Sequence, residues 1–284
     1  MKFIKNYLIF HLNLLDRIYL KVLFSQNKKN TKFHQFKFRE LFNLRSRLRG
    51  QKVRISTDAL SKNFKVVEPG HEPRFFENKI QNFYLYQDGL NERNRVLANS
   101  YLLDEVIWDS KNVIIDCGAN IGDFHFAVKS LGVKHSYYGI EPSPIEFACL
   151  QRNVPGQTAL NFGLWESSGS LDFYISMDNA DSSFIEPSSF TDVQKIQTFR
   201  LDTLDIKHEI ITLLKLEAEG AELEVLKGSV GILNKVKYIS ADLGFEREGE
   251  SPLPEVSNFL LANDFEMVKF GAPRIVCLFK NRNL

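Results

Sequence analysis

Residues 114–124, IIDCGANIGDF, place an acid and two glycines where an apolar run ends. Asp116 closes the run, and Gly118 and Gly122 follow with Asn120 between them. Glycine allows tight turns and a close approach of the backbone to a ligand. A helix that starts here would add its free N–H groups. The stretch therefore predicts a turn between a buried strand and a helix, with a ligand bound beside the backbone.

A second acid, Glu141, ends the next apolar run about 20 residues after the glycines, where a carboxylate can accept hydrogen bonds from ribose hydroxyls. Dinucleotide-binding proteins share this arrangement, but their glycine fingerprint is G-x-G-x-x-G. Counted from Gly118, the second and third glycines of that fingerprint would fall on Asn120 and Asp123. The spacing D-x-G-x-x-x-G instead resembles the first motif of class I methyltransferases, which bind S-adenosylmethionine.

The chemistry of S-adenosylmethionine agrees with this spacing. It has no pyrophosphate, so a phosphate-binding loop is unnecessary, and it carries an ammonium group that Asp116 could hold directly or through water. Asn161, at a third strand-like run, either reaches the adenosine or is simply a polar strand end. The predicted cofactor-binding residues are Asp116, Gly118, Asn120, Gly122, Glu141 and Asn161.

Strand-like and helical patterns alternate from about residue 101. Short apolar runs predict strands at 112–116, 136–141, 159–164, 171–176, 210–217 and 236–243. Helical periodicity and start signals predict helices at 124–131, from Ser143, at 221–233 and from Ser251 to Asn263. The last two runs, 265–270 and 274–279, lie close enough for an antiparallel hairpin. Together these units predict an α/β fold with a doubly wound, mostly parallel sheet of the seven-stranded type.

Residues 1–100 form a different region, a basic extension that precedes a methyltransferase-like domain at 101–284. Residues 1–50 carry twelve Lys and Arg against two acids, whereas the rest of the chain carries 24 basic and 33 acidic residues. Such asymmetry is typical of a surface that meets phosphate or anionic lipid. Short strand-like pieces lie at 53–56 and 83–86.

The first 25 residues are apolar at helical spacing and predict an amphipathic helix. Asp16, Arg17 and Lys21 interrupt the apolar run, so neither a spanning helix nor a signal peptide is expected. Two interpretations stay open. The helix packs on its own domain, or it lies on a membrane surface with its basic residues against anionic headgroups. We therefore expect a cytoplasmic protein, which is peripheral to the membrane in the second case.

Two motifs resemble the FkbM family of methyltransferases. VIIDCGANIGDF, at 113–124, resembles the family's opening motif. LLKLEAEGAELEVLKG, at 213–228, resembles its K-I-D-V-E-G-A-E motif followed by V-L-x-G, with Glu217 in place of the usual Asp. The resemblance covers roughly residues 94–245. It implies methyl transfer from S-adenosylmethionine, usually to a hydroxyl oxygen of a natural product, sugar or glycan.

A hydroxyl acceptor requires a base that takes its proton. The second motif supplies the candidate catalytic residues Glu219, Glu217 and Glu222. An acid at Glu222 would also be favoured by the helix dipole alone, and an ion pair with Lys215 would lower the pKa of Glu217 and weaken it as a base. The three acids could hold a divalent metal, but no spacing requires one, and the histidines and cysteines show no metal pattern.

Two other functions remain open from the sequence. An RNA methyltransferase would use the basic arm on phosphates, but EAEG at 217–220 stands where base N-methylation normally uses a polar-Pro-Pro-aromatic turn. A degenerate fold would be a non-catalytic binding protein at the membrane, against which the intact acid and glycine motif argues. We therefore expect a hydroxyl-bearing small molecule or glycan as the acceptor rather than a nucleic acid.

Overall fold

A computed structural model describes residues 32–58, 63–77, 84–175, 182–187, 190–247 and 249–284. For residues 32–35 it describes the backbone only. The helix predicted within residues 1–25 lies outside these ranges. The chain falls into two compact units, Met1–Arg93 and Asn94–Leu284. Among the helices that the structure describes, none is both long enough and apolar enough to cross a bilayer.

The first unit combines one helix with a small antiparallel sheet. Helix α1 (Lys32–Leu48) precedes strands β1 (Arg54–Thr57), β2 (Phe64–Val67) and β3 (Arg74–Phe76), which pair in the order β1-β2-β3. Strands β2 and β3 alternate buried and partly exposed residues, as a sheet with one covered face requires.

An aromatic cluster forms the centre of this unit. The rings of Phe38 and Phe64 lie 5.1 Å apart, and those of Phe64 and Phe76 lie 5.6 Å apart. The strand expected at 83–86 is wrong, because 84–85 are helical and a turn begins at Tyr86. Tyr86 is fully buried and packs against Phe76, so its aromatic character serves the core rather than a strand.

The second unit is built around a seven-stranded sheet, as the sequence predicts. Its order is β12-β13-β11-β10-β4-β5-β6. The strand bounds are β4 (Asn112–Cys117), β5 (His135–Ile140), β6 (Thr158–Leu160), β10 (Ile211–Leu216), β11 (Val236–Asp242), β12 (Phe265–Gly271) and β13 (Val276–Asn281). All neighbours pair in parallel except β13, which is antiparallel to both β11 and β12.

Helix α2 (Leu90–Ser100) precedes β4 and contains the boundary between the units. Four helices lie between the strands of the second unit and cover its sheet: α3 (Asp123–Ser130), α4 (Pro144–Asn153), α5 (Glu222–Lys227) and α6 (Leu253–Ala262). Short 3₁₀ turns occupy Leu103–Glu105, Leu201–Thr203 and Val230–Lys235. The chain moves outward from β4 through β5 to β6, and in the opposite direction from β10 to β11. The switch point of the sheet therefore lies between β4 and β10.

Successive residues of the central strands are buried on opposite faces of the sheet. On β4, Val113 and Ile115 join one apolar cluster, whereas Ile114 joins the other. On β10, Leu214 and Leu213 divide in the same way. Because both faces are covered, these strands read as continuous apolar runs without polar alternation.

Two predicted elements differ from the structure. The run 159–164 is divided, because β6 ends at Leu160 and β7 (Gly163–Leu164) enters a separate sheet of order β7-β9-β8, with β8 (Gly169–Ile175) and the unpredicted β9 (Asp192–Phe199). The helix predicted at 221–233 is α5 followed by a 3₁₀ turn. Its break is at Gly228, where a Cβ atom would lie 2.0 Å from the carbonyl oxygen of Trp165.

We expect Phe38→Ala to lower the free energy of unfolding of the first unit by about 3–5 kcal/mol, because it removes the fully buried ring that contacts Phe64 and Phe76. Phe36→Ala is the matched control on the same helix, since Phe36 is 53% exposed, and it should cost less than about 1 kcal/mol. Urea unfolding followed by hydrogen exchange of the β1–β3 amides measures both. Equal losses in the two variants would contradict the assignment of this core.

Candidate active site

Carboxylates mark the ends of the four central parallel strands. Asp116 lies near the end of β4, Glu141 follows β5, Glu217 follows β10 and Asp242 ends β11. Ligands of open α/β sheets bind outside the carboxyl ends of the strands, at the switch point. The sequence predicts the first three acids as site residues. The same kind of signal marks Asp242, an acid near the end of the buried run 236–243.

The predicted glycine turn follows β4 and leads into α3. Gly118, Asn120 and Gly122 all have positive φ, at 71°, 49° and 88°. The N–H groups of Gly118 and Ala119 both donate to the carbonyl oxygen of Ile140, at 3.1 and 3.0 Å. The turn is therefore held against the end of β5, where Glu141 begins.

Gly118 is required for a contact with a second loop of the protein itself. A Cβ atom at this position would lie 2.0 Å from the carbonyl oxygen of Glu217. The sequence predicts that this glycine allows a close approach between backbone and ligand. In the structure it is the backbone of the loop after β10 that lies close to Gly118, so this glycine allows two loops of the protein to approach each other.

Glu141 links the glycine turn to the start of α4. One of its oxygens accepts from the N–H of Asn120 at 2.7 Å, and the other accepts from the N–H of Ser143 at 2.8 Å. Burial and the neighbouring charge of Glu146 raise the pKa of Glu141 to about 8. Asn161 lies beside it, and its side-chain N–H groups donate to the backbone oxygens of Glu141 and Pro142.

A buried ammonium group joins the ends of β4 and β10. Lys215 and Asp116 are direct neighbours in the sheet register, and Lys215 Nζ lies 3.0 Å from Asp116 Oδ1 and 2.9 Å from Glu217 Oε2. Lys215 also donates to the carbonyl oxygens of Cys117 and Gly118, at 3.1 and 2.7 Å. One cation therefore fixes two carboxylates and the first residues of the glycine turn.

Asp116 is completely buried and has partners at both oxygens. Tyr137 Oη donates to its Oδ2 at 2.5 Å, and Lys215 faces its Oδ1. Burial raises the pKa of Asp116, and the Lys215 charge and the Tyr137 hydrogen bond offset only part of that rise. For Lys215, burial acts to lower the pKa, but the charges of Asp116 and Glu217 outweigh it and raise the pKa well above its usual value.

Glu217 is held as an anion by three donors. Besides Lys215, it accepts from Tyr101 Oη at 2.6 Å and pairs with the guanidinium of Arg274, which also pairs with Asp242. Burial alone would raise the pKa of Glu217, but the charges of Lys215 and Arg274 and the Tyr101 hydrogen bond lower it to about 2. A carboxylate with so low a pKa is a weak base, as the sequence argument anticipates for an ion pair with Lys215.

The other two acids of the motif differ in their surroundings. Glu222 lies in the first turn of α5, is 0% exposed, and accepts from the N–H groups of Ala218 and Gly220 at 2.7 and 3.3 Å. Burial raises its pKa to about 7. Glu222 therefore closes the loop from within and does not face the crevice. Glu219 is partly exposed at the turn of the loop, with φ at 51°, and its carbonyl oxygen accepts from Ser183 Oγ.

A family model for the methyltransferase FkbM domain matches residues 116–267, which is more than half of the chain. The chain belongs to the FkbM methyltransferase family. It is accordingly an S-adenosylmethionine-dependent methyltransferase with a Rossmann-like α/β fold.

Several known proteins are similar to this FkbM-family chain. The hexuronic acid methyltransferase AglP of Haloferax volcanii is 28% identical over 199 residues, which cover 67% of this chain and 78% of that protein. Methyltransferase sdnD of Sordaria araneosa is 26% identical over 189 residues, covering 53% and 70%. The N-terminal domain of human METTL16 superposes with a TM-score of 0.39 at 12% identity, over 86% of this chain and 81% of that domain.

The charges at this edge of the sheet fit S-adenosylmethionine. Each oxygen of Glu141 accepts one backbone N–H, and a carboxylate offers about four lone-pair sites, so ribose hydroxyls can still donate to it. Among the described side chains at these strand ends, the carboxylates of Asp116, Glu141, Glu217 and Asp242 outnumber the two cations paired with them, Lys215 and Arg274. A strand edge lined by carboxyl groups suits a sulfonium and an ammonium, whose positive charges favour the ionised carboxylates, and does not suit a pyrophosphate. Within the described ranges, no three His, Cys, Asp or Glu side chains are arranged to hold a metal.

We expect Gly118→Ala to lower the free energy of unfolding by about 2–5 kcal/mol, because the added methyl overlaps the Glu217 carbonyl and the φ is left-handed. Gly132→Ala is the matched control, since Gly132 has a φ of 78° but nothing within 4 Å of a Cβ, and it should cost about 1–2 kcal/mol. Thermal unfolding and calorimetry with S-adenosylhomocysteine measure stability and binding. Equal behaviour of the two variants would mean that the contact between the loops is unimportant.

Lys215→Met is expected to lower the free energy of unfolding by about 3–5 kcal/mol at pH 7, because Asp116 and Glu217 lose their shared cation. The loss should be smaller at pH 5, since the folded variant raises the pKa of buried Asp116 above its unfolded value and binds a proton there. Lys227→Met is the control, because its ion pair with Glu166 is 45% exposed on both sides and is worth at most about 1 kcal/mol. A loss for Lys215→Met that does not change with pH would refute the electrostatic explanation.

Proposed function

We propose that this enzyme transfers the methyl group of S-adenosylmethionine to a hydroxyl oxygen of a sugar or glycan. The observation that carries the proposal is the contact between the glycine turn and the loop after β10, where a Cβ at Gly118 would meet the Glu217 carbonyl oxygen. A ligand on the first loop therefore lies next to the acids of the second. The similarity to AglP, whose name specifies a hexuronic acid, supports a sugar acceptor.

The cofactor-binding part of the proposal uses the residues at the ends of β4, β5 and β6. Glu141 would accept the ribose hydroxyls, and Asn161 would hold the backbone of Glu141 and Pro142 in place through its hydrogen bonds to their carbonyl oxygens. Gly118, Asn120 and Gly122 would shape the backbone around the ligand. Asp116 would act on the ammonium group through its charge or a water molecule, because its own oxygens are already paired. The cofactor, when bound, supplies a methyl group on a positively charged sulfur.

The acceptor part of the proposal uses the loop 217–222. Methyl transfer is an in-line displacement that depends mainly on aligned reactants and on the exclusion of water. Glu217, fixed as an anion, would stabilise the positive charge of the cofactor without taking a proton. Glu219 would orient the acceptor from the exposed turn of the loop, and Glu222 would keep the loop closed.

Two probe sugars test the acceptor class. With methyl-labelled S-adenosylmethionine, we expect label on methyl β-D-glucuronide and less on methyl β-D-glucoside, identified by mass spectrometry. Mild alkali separates the possible products, because a methyl ether on a hydroxyl survives it whereas a methyl ester on the carboxylate is hydrolysed. The proposal requires label that alkali does not remove.

Glu141→Gln and Glu255→Gln form a matched pair for the cofactor site, since Glu255 is an exposed acid in the first turn of α6. Glu141→Gln should weaken binding of S-adenosylhomocysteine about tenfold or more in calorimetry, because it changes a carboxylate that accepts hydrogen bonds at both oxygens. Glu255→Gln should bind normally. A protein that binds the cofactor product but labels neither sugar would contradict the proposed acceptor class.

A further inference from the structure

The segment after β11 brings another glutamate back towards the strand ends. A Cβ atom on Gly244 would lie 3.1 Å from Glu246 Oε1 and 3.7 Å from Asp242 Oδ1. The side chain of Glu246 therefore folds over Gly244 towards Asp242, at the carboxyl end of β11. No sequence motif marks this glutamate.

The same segment packs against the loop 217–222. Arg247 Nη1 pairs with Glu224 Oε1 at 2.8 Å and donates to the carbonyl oxygen of Gly220 at 3.4 Å. A Cβ on Gly220 would lie 3.2 Å from Arg247 Cβ. Glu246 consequently borders the loop in which Glu217 and Glu219 lie.

Among the described residues, four buried carboxylate oxygens in this region lack a hydrogen-bond donor: Oε2 of Glu222, Glu224 and Glu246, and Oδ1 of Asp242. Glu222 is 0% exposed, and among the described residues nothing donates a hydrogen bond to its Oε2. The same holds for Oε2 of Glu246. A buried acceptor without a partner costs about 1–3 kcal/mol, which a bound proton or a ligand hydroxyl would relieve. Of Glu222 and Glu246, only Glu246 is partly exposed, so a ligand that donates hydrogen bonds can approach Glu246 and not Glu222.

The electrostatics of Glu246 are opposite to those of Glu217. Burial, together with the negative charges of Glu222, Asp242 and Glu217, raises the pKa of Glu246 to about 8, and Arg274 is the opposing cation. The pKa of Glu217 is lowered to about 2. Where the environment separates the pKa values of neighbouring carboxyl groups in this way, the group with the higher pKa is suited to accept and release protons.

We propose that Glu246 takes the proton from the acceptor hydroxyl during methyl transfer. The inference rests on the proposed O-directed function and adds a catalytic residue to it. The hydroxyl oxygen bonds to the methyl carbon, the methyl–sulfur bond breaks and leaves its electron pair on sulfur, and the hydroxyl proton passes to the Glu246 carboxylate and then to water. Glu217 stays ionised throughout, because Lys215 and Arg274 remain paired with it.

Glu246→Gln tests this role with methyl β-D-glucuronide as the acceptor. We expect kcat to fall about 100-fold or more, while the affinity for S-adenosylhomocysteine changes less than about twofold. In the wild type, kcat/KM should rise with pH through about 8, since the base must be ionised, and the variant should lose that rise. Glu246→Asp should recover part of the rate with a shifted pH profile, and Glu255→Gln should behave as wild type.

Each contrary result has a distinct meaning. If Glu246→Gln turns over at the wild-type rate while Glu219→Gln turns over slowly, the base is Glu219 and the inference is overturned. An alkali-labile product would also overturn it, because a carboxylate acceptor needs no base. Should Glu246→Gln not fold, a wild-type rate that is constant from about pH 6 to about pH 9 would overturn it instead. A wild type that binds the cofactor product but labels neither sugar refutes the proposed function and this inference with it.

Discussion

The buried ammonium group of Lys215 is the interaction on which the site depends. It contacts carboxylates from two adjacent strand ends, Asp116 and Glu217, and two carbonyl oxygens of the glycine turn. Without that cation, the buried charge of Asp116 and the partly exposed charge of Glu217 would repel each other at the carboxyl edge of the sheet. Its position on β10, directly opposite Asp116 in the register, places one charge within reach of all four oxygens.

The same cation contributes to the different pKa values of the acids of the site. Since Lys215 and Arg274 keep Glu217 ionised, that residue contributes a fixed negative charge rather than a proton acceptor. One oxygen of Glu222 accepts hydrogen bonds from the backbone of its own loop. Burial among like charges gives Glu246 the opposite character, although all three residues have the same functional group. Environment rather than residue type therefore determines which acid can take part in proton transfer.

The sequence predicts the central strands, the hairpin and the glycine turn because local patterns determine them. Continuous apolar runs reflect burial on both faces, and the glycine spacing reflects backbone conformation. The contacts of Arg274 and Tyr137 could not be predicted in this way, because each arises from a meeting of distant segments. The strand expected at 83–86 is wrong, and the run 159–164 is divided between two sheets, because such short apolar runs carry no information about which neighbour they join.

The Glu217 side chain has one methylene more than the aspartate usual in the family, and it touches both Lys215 and Arg274. Arg274 belongs to the connection between β12 and β13, whereas Lys215 lies on β10. Glu217 therefore links the hairpin of β12 and β13 to the strand that carries Lys215. The hairpin therefore supports the strand end at Glu217 as well as forming the edge of the sheet. Substitutions in the hairpin would then change the environment of Glu217 from a distance, through the guanidinium of Arg274.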